Sequence, residues 1–109
     1  LGAEGEERTA TWYRAQGYEV VARNWRCREG EIDLICARGR TLVICEVKTR
    51  SSLAYGHPAE AVTPTKQKRL RTLARIWLAE QDAPVRAEAI RFDVAAVLPS
   101  GVDVIEAAF

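Results

Sequence analysis

The chain has 109 residues, 48% hydrophobic and 28% charged, with a formal net charge of +1. This is the balance of a soluble globular protein with one modest core, and no apolar run approaches the ~20 residues that span a bilayer. Three cysteines (Cys27, Cys36, Cys45) without a CxxC pair argue against a disulfide framework or zinc site, so a cytoplasmic protein without a membrane partner is expected.

Residues 3–16 read as a helix, stopped by Gly17. Ala3, Glu6, Ala10 and Tyr13 recur at spacings 3, 4 and 3, one stripe of that helix, so Glu6 points to the edge of the core. Glu7 is rotated by ~100° toward water. Gly2 and Gly5 permit close approach of the helix start. Residues 18–23 (YEVVAR) read as a strand, and NWRCREG (24–30) as a basic loop carrying Trp25, Arg26 and Arg28. Two strands, 31–37 and 41–48, flank the turn candidate Arg38-Gly39. Ser51, Ser52, Gly56 and Pro58 mark an irregular connection over 51–63, with the single histidine, His57, read mainly as a loop contact. A second helix is expected over 65–81, with Leu70, Leu73, Ala74 and Trp77 as its apolar stripe and Lys68, Arg71 and Arg75 opposite. Asp82-Ala83-Pro84 ends it. Strands over 90–98 and 102–106 flank Pro99-Ser100-Gly101. The order is αβββαββ, an α/β fold with a mixed central sheet flanked by helices.

The hairpin raises a chemical question, because Asp33, Glu46 and Lys48 stand in strands that are otherwise apolar. Buried charges are costly unless paired or bound to a metal. Side chains alternate along a strand, so Glu46 and Lys48 share a face with Leu42 and Ile44, while Val43, Cys45 and Val47 share the other. A two-residue turn at Arg38-Gly39 pairs 37 with 40 and 33 with 44. Asp33 and Glu46 then become diagonal neighbours on one face, roughly 7–8 Å apart at the backbone, with Glu31 opposite Glu46. Two or three carboxylates beside one lysine suit a Mg²⁺-dependent phosphodiesterase site, since hard oxygen ligands match Mg²⁺. A surface ion cluster is the competing reading.

Asp33 followed by Glu46-Val47-Lys48 resembles the D…(D/E)xK signature of the PD-(D/E)xK nuclease superfamily, with Ile32-Asp33 where its Pro-Asp pair stands. The shared core of that superfamily, the restriction-endonuclease-like αβββαβ arrangement, agrees with the order read here. Gly2 followed by Glu6 is similar to the first helix of archaeal Holliday junction resolvases. GEIDLI, EVKTR and YGHPAEAVTPTKQKRL resemble the YraN-type family of small bacterial proteins over nearly the whole chain. The resemblance implies a site of Glu6, Asp33, Glu46 and Lys48, with Glu6, Asp33 and Glu46 on a Mg²⁺ or Mn²⁺ ion. Gln67 resembles a glutamine found after ExK in several branches.

The expected function is metal-dependent endonuclease action on DNA, with branched, Holliday-junction-like structures as the specific substrate. Resolvase relatives cut two strands as dimers, so a homodimer is the corresponding expectation, with the hydrophobic stretch 102–109 as a candidate interface. Arg26, Arg28 and Trp25 are the first candidates for nucleic-acid contact, followed by Lys68 and Arg71 on the second helix. The alternatives are a non-catalytic nucleic-acid-binding module and an assembly protein, either retaining the nuclease fold.

Overall fold

The structure, a computed structural model, describes residues 2–52, 54, 56, 58–83 and 85–109. His57 lies outside the described residues. The elements are α1 (Gly2–Ala15), β1 (Glu19–Cys27), β2 (Gly30–Arg38), β3 (Thr41–Thr49), a 3₁₀ turn (Pro58–Ala61), α2 (Pro64–Ala79), β4 (Ala89–Leu98) and β5 (Gly101–Ile105). The strands form one sheet in the order β1-β2-β3-β4-β5. Only the β3–β4 pair is parallel, and α2 lies in its crossover. The α/β class, the mixed sheet and its two helices agree with the sequence reading, and the arrangement is consistent with a restriction-endonuclease-like core. No described helix is long and apolar enough to cross a membrane.

The two helices cover opposite faces of the sheet. Ala10 and Tyr13 of α1 pack with Leu34, Cys36, Val43, Cys45 and Ala95. Leu70, Leu73, Ala74 and Trp77 of α2 pack with Ile32, Ile35, Leu42, Ile44, Phe92 and Val94. Both stripes are those expected from helical spacing, although Ala3 is exposed. Burying each large aliphatic side chain contributes about 1.5–3 kcal/mol, so these two layers hold the sheet between the helices. The α2 start is capped: Thr63 accepts the Lys66 N–H at 3.2 Å, and Pro64 occupies the first turn. Gly5 lets α1 lie close on β3, for a Cβ there would stand 2.5 Å from Thr49 Oγ1.

Three local expectations are corrected. The hairpin pairs Arg38 with Thr41 and Ile35 with Ile44, so its turn is Gly39-Arg40, with Gly39 at φ +59°. The register is shifted by two residues from a turn at Arg38-Gly39, which preserves side-chain parity on β3. Second, β1 runs on to Cys27, so Trp25 and Arg26 belong to a strand rather than a loop. Third, alternation breaks inside β1 and β2. Asn24 has φ +50°, the Trp25–Ile32 pair follows the Arg23–Leu34 pair, and Ile32 and Ile35 both pack on the α2 side. Asp33 stands at this break, so it does not simply share the face of Ile35.

Candidate functional site

The last paired residues of β2 and β3 at this end are Leu34 and Cys45. Beyond them Asp33 Oδ2 accepts the Val47 N–H at 2.8 Å, taking a bond that a neighbouring strand would otherwise supply. The Asp33 carboxyl also lies beside the Glu46 side chain. Burial, and next the neighbouring Glu46 side chain, push the Asp33 carboxyl up to about 7 from 3.8, with the charge of Glu6 adding to the effect. Glu46 itself is 6% exposed. The two carboxyls are therefore neighbours at the fork.

The acidic groups converge from both sides of the sheet. Glu46 follows Ile44 on the α2 face, whereas Glu6 comes from α1 on the other face. Asp33 stands between them where the strands part. A groove of about 450 Å³ on the α1 side is lined by Ala3, Glu6, Asn24, Arg26, Glu31, Asp33, Val47 and Thr49. Glu6 is buried at its wall, as its helical stripe predicts. Glu7 turns outward to Arg23 at 2.6 Å and Arg14 at 3.5 Å, and the Arg23 guanidinium holds its carboxyl low. Glu31 does not oppose Glu46. It pairs with Arg26 at 3.1 Å.

Among the described residues, the ammonium beside Glu46 is that of Lys66, whose Nζ stands 3.2 Å from Glu46 Oε2. Lys48 follows Glu46 on the same strand face and is half-buried. The sequence reading missed the Lys66 contact. Its one local signal was the position next to Gln67 in the first turn of α2. Gln67 donates its amide to the Val62 carbonyl at 3.0 Å, closing the turn ahead of α2.

Residues 5–97 match the uncharacterised protein family UPF0102. The chain belongs to this family. The chain is 59% identical over 98 residues to the UPF0102 protein of Beutenbergia cavernae, covering 90% of this chain and 81% of that protein. It is 58% identical over 98 residues to the UPF0102 protein of Nocardia farcinica, covering 90% and 76%. Against the UPF0102 protein of Clavibacter michiganensis subsp. michiganensis it is 53% identical over 98 residues, covering 90% and 81%. The YraN-type resemblance read from the sequence is borne out. Membership in UPF0102 names no activity, so chemistry has to be argued from the site.

The donor set of this UPF0102 chain fits a hard divalent cation. Its groups are carboxyl oxygens, and buried Glu46 Oε2 has no hydrogen-bond partner among the described residues. Among the described residues no three His, Cys, Asp or Glu side chains gather tightly enough to hold a metal by themselves. Mg²⁺ commonly takes one or two carboxylates and completes its shell with water and phosphate oxygens, and the residues that could hold such an ion here are Asp33 and Glu46, with Glu6 near Asp33.

The basic residues divide by what they touch. Arg26 and Arg28 are exposed, and Arg26 lines the groove. Trp25 packs against the α2-side core. Lys68 is exposed, while Arg71 lies over the rings of Phe92 at 4.8 Å and Phe109 at 5.5 Å. Another buried acid escaped the sequence reading although it interrupts the apolar run IRFDVAAVL. Asp93, fully buried, accepts from Tyr13 Oη at 2.6 Å, from Arg91 Nε and Nη2 at 2.9 Å each, and from the Ala107 N–H at 3.0 Å. It ties α1 and the C-terminal turn to β4. The neighbouring thiols are inert, for burial pushes Cys36 up to about 12 and Cys45 further up.

Proposed function

We propose that this chain is a metal-dependent endonuclease that hydrolyses DNA phosphodiester bonds, with branched, junction-like DNA as its substrate class. The observation that carries the reading is the Asp33–Glu46 carboxyl pair at the fork of β2 and β3, Asp33 half-buried and Glu46 buried with one oxygen that lacks a hydrogen-bond donor among the described residues. Asp33 and Glu46 would hold a Mg²⁺ or Mn²⁺ ion with Glu6 close by. The ion supplies an activated water and neutralises phosphate charge. Lys48, two residues beyond Glu46 on its face, stabilises the developing phosphate anion. Arg26 at the groove and exposed Arg28 hold the nucleic-acid backbone. Gln67 acts by keeping the start of α2 against the site. Two-strand cleavage requires two such centres, so the working unit is a homodimer. The free thiols of all three cysteines are in keeping with a cytoplasmic setting.

The test is incubation with a four-way junction, a flap and a plain duplex of matched length, with Mn²⁺ or chelator. Metal-dependent nicks on the junction are expected. Junction binding without cleavage by protein that demonstrably binds Mn²⁺ would replace this reading by a second one, a non-catalytic nucleic-acid-binding module. That alternative is favoured by the lack, among the described residues, of three gathered metal-ligating side chains.

A further inference from the structure

Lys66 makes an unusual contact for a structural ion pair. Its Nζ is 3.2 Å from Glu46 Oε2, with side-chain exposures of 33% and 7%. Yet no donor among the described residues, Lys66 included, meets that buried oxygen in hydrogen-bond alignment. The contact is charge against charge without a directed bond. The neighbour on the other side, Asp33, is itself a carboxyl and supplies no positive charge.

We propose that Lys66 is a built-in counter-ion that occupies the cation position at Glu46 and is displaced when a divalent cation binds. The proposal rests on the metal centre proposed above. A carboxylate this buried is costly as a lone charge, and an ammonium is a compact positive charge able to fill the place of an ion. A divalent cation held by the same oxygen would bring a second positive charge beside the ammonium. The lysine stem is flexible and a third exposed, so Nζ has a path to water. Thr63 holds the Lys66 backbone N–H independently of the side chain, so the ammonium leaves without unwinding α2. Lys66 is thus a positioning residue that sets how strongly Glu46 attracts metal, a role separate from that of Lys48.

The experiment is calorimetry with Mn²⁺ at pH 8 on wild type, Lys66→Met and Lys66→Arg. Lys66→Met should bind Mn²⁺ at least tenfold more tightly. Lys66→Arg, with a guanidinium harder to dislodge from a carboxylate, should bind more weakly than wild type. Saturating Mn²⁺ should raise the Tm of Lys66→Met more than that of wild type. In unmodified protein, acylation of Lys66 read by mass spectrometry should accelerate on adding Mn²⁺, with exposed Lys68 as internal reference. This arm stands even if Lys66→Met fails to fold. Unchanged or weaker Mn²⁺ affinity in Lys66→Met, or unaltered Lys66 acylation in metal-saturated wild type, overturns the counter-ion role and leaves the metal centre standing. Absence of Mn²⁺ binding in every variant overturns the metal centre itself, and this proposal with it.

Discussion

The Val47 backbone N–H donates to Asp33 Oδ2 at 2.8 Å. A side chain thereby takes a bond of the kind that sheet ladders make, at the place where the β2–β3 pairing has ended with Leu34 and Cys45. The consequence is a fork in the sheet. Asp33 is held at its apex, and Glu46, next to Val47 on β3, is brought against it.

The first prediction concerns pH. The folded-state carboxyl of Asp33 titrates at about 7, against 3.8 without the fold. Native protein therefore holds this proton more tightly than the unfolded chain. Between those values the unfolded chain has released it and the native state has not, so stability falls as pH rises through the window and stays lower above it. Asp33→Asn keeps an acceptor for Val47 and removes the titration. In chelator at pH 8 it should be more stable than wild type by on the order of 1–3 kcal/mol, with a flatter pH dependence. The same variant should lose Mn²⁺ binding. Denaturant melts across pH 4–8 check the first outcome and calorimetry the second. A destabilised variant that still binds Mn²⁺ like wild type would refute both.

Lys48 and the DNA contacts should separate on mutation. Lys48→Ala is expected to lower cleavage about 10²-fold or more, the scale for removing one group that stabilises transition-state charge. Junction affinity should change only a few-fold. Single-turnover cleavage beside gel-shift binding provides the comparison, and undiminished cleavage would remove Lys48 from the site.

Arg26 and Arg28 should act on affinity uniformly across sequences. Phosphate contacts carry no base information, and each contributes roughly −0.9 to the slope of log affinity against log salt on duplex DNA. The Arg26→Ala, Arg28→Ala double variant should weaken binding to junction and duplex alike and flatten the slope by about 1–2. Arg26 first has to leave its pair with Glu31, so its share should be the smaller. An unchanged slope would move the nucleic-acid surface elsewhere, with Lys68 next to be tested.

Asp93 gives a prediction of stability alone. Tyr13→Phe removes one of four bonds to a carboxylate that retains Arg91 and the Ala107 N–H. It should cost about 1–3 kcal/mol. Asp93→Ala strands a fully buried phenol and leaves Arg91 without its main partner. The expected cost is about 3–5 kcal/mol. Chemical denaturation ranks the pair, and equal losses would mean that the network does not hold β4 to α1.

Much of the architecture follows from periodicity. Spacing of 3.6 residues picked out Ala10 and Tyr13 on α1 and Leu70, Leu73, Ala74 and Trp77 on α2, all of them buried. Alternation placed Ile44 and Val43 on opposite faces of β3, where the two cores have them. These are local consequences of backbone geometry, which any short window of residues carries. The hairpin frame was less legible. Turns at Arg38-Gly39 and Gly39-Arg40 both preserve parity on β3, and hydrophobic pattern cannot choose between them. Gly39, in a left-handed conformation at φ +59°, falls at the first turn position of the observed hairpin.

The element order, the two apolar faces and the presence of acids in otherwise apolar strands were all legible in the residue pattern alone. Tertiary structure decided where those acids meet. Only the break in alternation at Asn24 and Asp33 turns Asp33 into the fork. Only the parallel β3–β4 crossover brings α2 across the sheet face, so that Lys66 stands on Glu46 twenty residues away in the chain. Glu6 arrives from the opposite layer on a helix that Gly5 lets lie close to Thr49. Each of these contacts depends on long-range packing of elements whose separate patterns are compatible with many arrangements, and electrostatic pairing depends on distance through space rather than along the chain.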